Sequence, residues 1–284
     1  MGEKRRIAIM MTVHKNKEQV RRLVNHLSKD FDVFIHIDRR SSLRINESEN
    51  VFVFKKYKTY WGSFNQIMST LFLINQAYNI GYERYLLISG QDLPIKTNKE
   101  ILGFFEDNKK EYISGDKLPV KGLAGNGGLD RMTRYWLNPH ERSNFFMNYL
   151  YKFEILFFSL IAKIRPRPID YEFHKGSNWI NLTHRCVNKV LDYLNKNPQY
   201  IMRFKWTTCA DEIFYHTIIN LLEGLEVENE NLRYVNWADG PEYPKTLRLE
   251  DYKKIIQSNN KLFARKFDEN IDNKIIDLLY GKII

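Results

Sequence analysis

The chain has 284 residues, 43% of them hydrophobic and 27% charged, which excludes general disorder and provides core enough for an α/β domain. With 44 Lys and Arg against 34 Asp and Glu, the net charge of +10 favours anionic partners without choosing among nucleic acid, anionic lipid and phosphorylated substrates. Cys186 and Cys209 are too few for the disulfide framework of a small secreted domain or a four-cysteine zinc site, and they tilt the expectation towards a reducing compartment.

Ile7–Val13 is a continuous apolar run, cut off by the polar residues 14–18 too early for a signal peptide, and reads as a strand buried on both faces. Residues 16–28 place Val20, Leu23, Val24 and Leu27 at helical spacing. Residues 33–38 form a second strand ending in Asp38, Val51–Phe54 a third, and residues 61–78 a helix with Ile67, Leu71, Ile74 and Ala77 near one face. Residues 85–89 form a fourth strand, closed by the turn Gly90-Gln91-Asp92-Leu93-Pro94. This βαβ rhythm predicts a mainly parallel sheet flanked by helices, with ligands beyond the carboxyl ends of its strands. Asp38 and the 89–94 turn fall there.

Residues 117–175 are less regular. Gly122, Gly125, Gly127 and Gly128 mark a loop, and Arg131-Met132-Thr133-Arg134-Tyr135-Trp136 is a basic and aromatic cluster. Phe145–Ile164 is rich in aromatic and aliphatic residues, but Lys152, Glu154 and Lys163 leave no uninterrupted run long enough to span a bilayer. It reads as a buried or amphipathic helix. The sharper alternative is an interfacial helix, with Arg142, Lys152, Lys163, Arg165 and Arg167 suited to anionic headgroups. Beyond Gly176 the pattern predicts a strand at 178–182, helices at 187–194 and 211–222, a strand at 232–237, a basic tail over 245–266 and a last helix near 271–279.

No Walker A, Rossmann, HExxH or CxxC pattern is present, and the histidines do not cluster. Asp30-Phe31-Asp32 has the Asp-x-Asp form that holds a divalent ion on a nucleotide-sugar diphosphate, but it precedes a strand instead of following one and reads as a decoy. Lys and Arg can meet a diphosphate in place of a metal, and the 245–266 tail is the candidate supply. Asp211-Glu212 is the best carboxylate pair for acid–base work, although acids are also ordinary in a helix's first turn.

Seven segments occur in order: Phe34-Ile35-His36-Ile37-Asp38, Trp61-Gly62-Ser63, Leu87 to Lys96, Gly176-Ser177-Asn178-Trp179, Ala210-Asp211-Glu212-Ile213-Phe214, Leu232 to Trp237, and Phe263-Ala264-Arg265-Lys266-Phe267-Asp268. Together they resemble the core-2/I-branching β-1,6-N-acetylglucosaminyltransferase family, glycosyltransferase family 14, which includes peptide O-xylosyltransferases and plant glucuronosyltransferases. The resemblance runs from Ile7 to Asp268, with residues 142–167 diverging. It implies a single α/β domain of the GT-A type over residues 1–284, with a nucleotide-binding half at 7–116, an insertion at 117–175 and an acceptor and catalytic half with its tail at 176–284.

The resemblance also implies inverting transfer from a UDP-sugar, with N-acetylglucosamine favoured over xylose and no metal or other cofactor. Glu212 is implied as the base and Lys266 as the diphosphate contact, helped by Lys245 or, given a length difference, Arg248. Asp38 is implied to contact uridine, the backbone near Met11 and Thr12 to lie against the base, and Asp92 to belong to the donor side. Trp61, Gly62, Gln91, Ser177, Trp179 and Asp211 fall on the substrate side. Arg131 and Arg134 match a basic pair facing the acceptor, and Tyr234 and Asn236 occupy acceptor-contacting positions, Asn236 departing from the aromatic found there. Lacking the anchor and disulfides of the animal enzymes, the chain is expected to be a compact bacterial member, cytoplasmic and peripheral on the inner membrane face. Its expected acceptor is a lipid-linked precursor of a surface glycan, and nucleic acid is not an expected partner. The competing reading, a basic nucleic-acid- or membrane-binding module without catalysis, leaves the motifs at 89–94, 211–212 and 263–268 unexplained.

Overall fold

A computed structural model describes residues 6–136, 145–240 and 242–284, so Arg142 lies outside the described residues. The first half comprises β1 (Ile7–Val13), α1 (Lys17–Leu27), β2 (Asp32–Ile37), β3 (Val51–Phe54), α2 (Phe64–Tyr78), β4 (Arg84–Ser89), β5 (Asp92–Pro94), α3 (Asn98–Phe105) and β6 (Glu111–Lys117). Then come α4 (Ala124–Gly127), α5 (Asp130–Thr133) and α6 (Phe145–Ile164). The second half comprises β7 (His174–Thr183), α7 (His184–Lys196), α8 (Pro198–Arg203), α9 (Asp211–Leu221), β8 (Val227–Glu228), β9 (Arg233–Val235), α10 (Tyr252–Ile256), β10 (Phe263–Arg265) and α11 (Asn273–Ile283).

The main sheet has the order β3-β2-β1-β4-β7-β6-β8. β3, β2, β1 and β4 are mutually parallel, as the βαβ rhythm predicts, while β7 runs antiparallel to both β4 and β6. β1 is apolar except for Thr12 because both faces are covered. Ile7, Ile9, Met11 and Val13 enter a core beneath α1, α3 and α11, and Ala8 and Met10 enter one beneath α2, α7 and α9. Full burial of each large aliphatic side chain contributes about 1.5–3 kcal/mol, so these two layers fix the sheet. α1 buries Val20, Leu23, Val24 and Leu27, the four positions its sequence spacing marks.

A second sheet of three strands, β5-β10-β9, stands beyond the carboxyl end of β4. The sequence pattern shows residues 90–94 as a turn alone and gives no sign of α3, β6 and β8. It also starts β7 at residue 178, whereas the strand starts at His174. The polar, glycine-containing first half of β7 lacks an apolar signature and is held by pairing with β6: Lys117 opposite His174, Gly115 opposite Gly176. β6 and β7 thus form one antiparallel pair, and residues 118–173 leave and re-enter through its open end.

That pair is closer than side chains allow. A Cβ on Gly176 would lie 1.6 Å from the Ser114 carbonyl oxygen, and one on Gly115 would lie 2.7 Å from the His216 ring. Gly176→Ala therefore forces the strands apart. We expect a loss of about 3 kcal/mol in equilibrium urea denaturation, at the upper end of ordinary overpacking. Gly103→Ala in α3, where a Cβ meets nothing within 4 Å, is the control and is expected to gain about 0.5–1 kcal/mol.

Candidate active site

The carboxyl ends of β1, β2 and β4 open towards one end of the sheet. Thr12 lies there between its register partners His36 and Ser89, half-buried, and its carbonyl accepts the Gly90 N–H at 3.1 Å. Met11 is fully buried in the core, its backbone committed to the ladder between Ile35 and Ile88. Asp38 ends β2 as expected but presents nothing outward. Its Oδ1 accepts from the Arg40 backbone at 2.8 Å and side chain at 3.1 Å, and its Oδ2 from Arg40 at 2.9 Å and from the Thr59 N–H and hydroxyl at 3.0 and 2.7 Å. Burial alone would raise its pKa, but these bonds outweigh it and hold Asp38 at about 2.

Asp92, expected on the donor side, is wholly buried. Its Oδ2 accepts from the Ser89 N–H at 2.7 Å and from the Ser89 hydroxyl. Arg233 of β9 and Arg265 of β10 approach it at 3.7 and 3.6 Å. Both guanidinium groups lie over the buried Trp179 ring, Arg265 at 4.1 Å and Arg233 at 5.2 Å from its centroid. Arg233 also donates to the Leu87 carbonyl, where β4 and β7 part after Leu86. Trp179 is thus a packing surface for the cluster.

Cations gather at the same end. Gln91 and Phe267 exchange backbone and side-chain bonds at 2.9 and 3.4 Å, which sets Lys266 beside the 89–94 turn. Lys266 is half-buried, and among the described residues none takes its ammonium in an ion pair. Burial lowers its pKa, Lys15 and Arg265 add to that, and Glu242 and Asp268 oppose it. Lys15 pairs with Asp268 at 2.7 Å. Of the two candidates for the second cation, Lys245 is committed to Glu250 at 2.9 Å and Asp251 at 3.0 Å, whereas Arg248 is exposed and shares the neighbourhood of Glu242 with Lys266. Sequence reasoning missed Lys15, whereas Arg265 falls within the 245–266 tail it offered as the cation supply.

The carboxylate pair opens α9. Gly62 has φ +68°, accepts the Cys209 N–H at 2.9 Å, and would place a Cβ 3.0 Å from the Cys209 sulfur. Only glycine fits there, and that turn delays the start of α2 to Phe64 while fixing the approach to α9. Trp61, beside it, is 72% exposed. Cys209 and Cys186 are free and buried. Glu212 Oε2 takes Arg131 at 2.7 Å and Lys175 at 3.2 Å, and no hydrogen bond to Oε1 comes from the described residues. Lys175 is another residue the sequence reasoning missed, one position before the Gly176-Ser177-Asn178-Trp179 motif. Asp211 points inward and accepts from Asn178 at 3.1 Å, and burial, with Glu212 adding, pushes its pKa up to about 7.

The remaining candidates turn to structural work. Arg134 pairs with Asp130 at 2.5 Å instead of joining Arg131. Ser177 bonds Ser114 and Asn231 at 3.0 and 2.8 Å. Asn236 caps its own turn, accepting from the Ala238 and Asp239 N–H groups and donating to Asp239 at 2.8 Å, so its side chain does not reach outward. Tyr234 is half-buried against the core beneath α1. Asp30 accepts from Asn98 and Asp32 from Tyr82, at the amino end of β2 and away from the site. Among the described residues no group of three or more His, Cys, Asp or Glu side chains converges on a metal position.

The family model for the Core-2/I-Branching enzyme matches residues 7–259, most of the chain. The chain belongs to the Core-2/I-Branching enzyme family. This family member is 22% identical to a Ciona intestinalis xylosyltransferase over 98% of the chain and 34% of that protein. It is 22% identical to a mouse N-acetyllactosaminide β-1,6-N-acetylglucosaminyl-transferase over 82% of the chain and 59% of that protein, and 24% identical to the human protein of that name over 93% and 68%. It thus spans about a third of the first relative and about three fifths of the second. A solved mannose-1-phosphate geranyltransferase from Thermus thermophilus aligns over 78% of the chain and 72% of its own, at 9% identity and a TM-score of 0.35, too distant to inform the fold.

Two carboxylates give opposite pH signatures. Asp38 sits at about 2 against an ordinary 3.8, so its contribution of about 2 kcal/mol is present above pH 4 and lost as pH falls towards 2. In Asp38→Asn that acid-limb loss is expected to shrink by the same amount. Asp211 at about 7 keeps its proton where the unfolded chain has released it, so its contribution to stability falls as pH rises from about 4 to 7. Asp211→Asn is expected to gain relative to the parent chain over that interval, read by denaturation at stepped pH.

Proposed function

We propose that this chain is an inverting glycosyltransferase that moves a sugar from a UDP-sugar to a hydroxyl of a glycan acceptor without a metal ion. The observation that carries the reading is Glu212. Its Oε2 is held by Arg131 and Lys175 while no hydrogen bond to Oε1 comes from the described residues, and Lys266 has no ion-pair partner among them. The strand that supplies Lys175 also supplies Asn178 to Asp211 and Trp179 to Arg265, and so joins the carboxylate side of the site to the cation side.

Glu212 Oε1 accepts the acceptor hydroxyl's proton as that oxygen attacks the anomeric carbon, and inversion follows from a single in-line displacement. Lys266, with Arg248 and Lys15 nearby, meets the charge that develops on the departing diphosphate, the task a divalent ion performs elsewhere. Asp38 acts indirectly in this reading, fixing Arg40 and Thr59 at the end of β2 where the uracil end of the donor would lie. Trp61 offers an exposed aromatic face beside Gly62 for an acceptor sugar. N-acetylglucosamine is the favoured donor sugar and xylose the alternative, since both occur in the names of relatives. A lipid-linked surface-glycan precursor is the proposed acceptor.

Calorimetric titration in EDTA is the first test. UDP is expected to bind, UMP more weakly and GDP not at all. Binding that appears only after manganese is added overturns the metal-free mechanism. No UDP binding, together with a salt-sensitive nucleic-acid complex, overturns the enzyme reading. Glu212→Gln is expected to retain UDP affinity and lose transfer by about 10²–10⁴-fold; near-full turnover removes its role as base. Lys266→Ala is expected to weaken UDP binding relative to uridine by about 1.5–3 kcal/mol, the size of a charge-assisted bond.

A further inference from the structure

α6 exposes a face that the proposed reaction does not use. Tyr149, Phe153, Leu156, Phe157, Leu160 and Ile164 are 48–87% exposed. At 3.6 residues per turn they fall within about 100° of arc and form one stripe along the helix. Lys152 and Lys163 lie along one border of that stripe, and Arg165 follows its end; all three are exposed. The one acid of the helix, Glu154, lies past the opposite border and is half-buried. No described helix is long and apolar enough to cross a membrane.

We propose that α6 lies in the headgroup layer of an anionic bilayer, its stripe in the acyl boundary and its basic border on the phosphates. Charge decides between this occupant and a second copy of the chain. A net charge of +10 repels a like copy and attracts an anionic surface. The absence of exposed acid along the stripe's described border fits phosphate headgroups, and a helix lying flat needs no span.

The loops carrying α6 tie it to the site. Arg167, just beyond the helix, is buried and donates to the Arg134 and Trp206 carbonyls at 3.3 and 3.0 Å and to the Thr207 hydroxyl at 3.2 Å. Its own N–H reaches the Thr133 carbonyl at 2.9 Å. Tyr135 meets Phe158 at 6.2 Å. The segment that presents Arg131 to Glu212 is therefore the one that supports α6, so the helix and the site share one support.

Flotation of the whole chain with vesicles of phosphatidylcholine, with and without phosphatidylglycerol, tests the proposal. Binding is expected to the mixed vesicles alone and to fall as salt rises. The double variant Phe157→Glu/Leu160→Glu is expected to stay unbound while retaining the parent's UDP affinity and unfolding midpoint. Lys152→Glu and Lys163→Glu are each expected to lower partitioning by about fivefold or more. A parent chain that never floats overturns the proposal, as does a double variant that floats equally well. A parent chain that is dimeric by light scattering, and monomeric only in the double variant, replaces lipid with a second copy. UDP titration of the same samples reads the glycosyl-transfer proposal separately, so either can fail alone.

Discussion

The site depends on one carboxylate that never reaches solvent. Asp92 accepts from the Ser89 N–H and hydroxyl of its own turn, and two guanidinium groups from β9 and β10 stand at ion-pair distance from it. Three segments far apart in sequence must therefore meet at one buried charge. Burying the ions costs several kcal/mol each, so the arrangement holds only where it is compensated, and Trp179 and the Leu87 carbonyl supply part of that compensation. The small sheet is then fixed to the end of β4, and Lys266, the residue after Arg265, is set at the mouth of the main sheet.

A second constraint is steric. Gly62 is constrained by its positive φ and a tight approach to Cys209, Gly176 by a backbone contact that leaves no room for a side chain, and each belongs to a motif that the sequence singles out. Gly62 carries the Cys209 approach that opens α9; Gly176 carries the crossing that sets Lys175 against Glu212. These glycines translate a motif into a distance.

The parallel core was legible because strands covered on both faces are apolar almost throughout, and α1 and α9 because their spacing or first-turn acids are local signals. Glu212, Lys266 and Arg131 were singled out through the family resemblance, and Asp30-Phe31-Asp32 was set aside on strand direction; the structure places it at the amino end of β2. What escaped the sequence was partnership. Asp38 is closed off in part by Arg40, Lys245 by Glu250 and Asp251, and Asn236 by its own turn, all through neighbours within six residues. Proximity in sequence shows that such partners are available, but only the folded backbone shows that the bond is made. Lys175 escaped for the opposite reason, since its partner lies on a distant helix and its own segment is polar and glycine-bearing.

Lys117 and His174 are opposite each other in one antiparallel pair, with residues 118–173 leaving and returning between them. A chain that exits and re-enters on adjacent rungs can change what it carries without moving the register of the sheet. Closing a longer loop costs only about 0.6 kcal/mol per doubling of its length. The excursion thus leaves the strand pairing intact, while its segment docks back on the frame through Arg131 to Glu212 and Arg167 to the Trp206 carbonyl. Lys117 and His174 therefore mark the natural splice points for exchanging that segment while the strand pairing is kept.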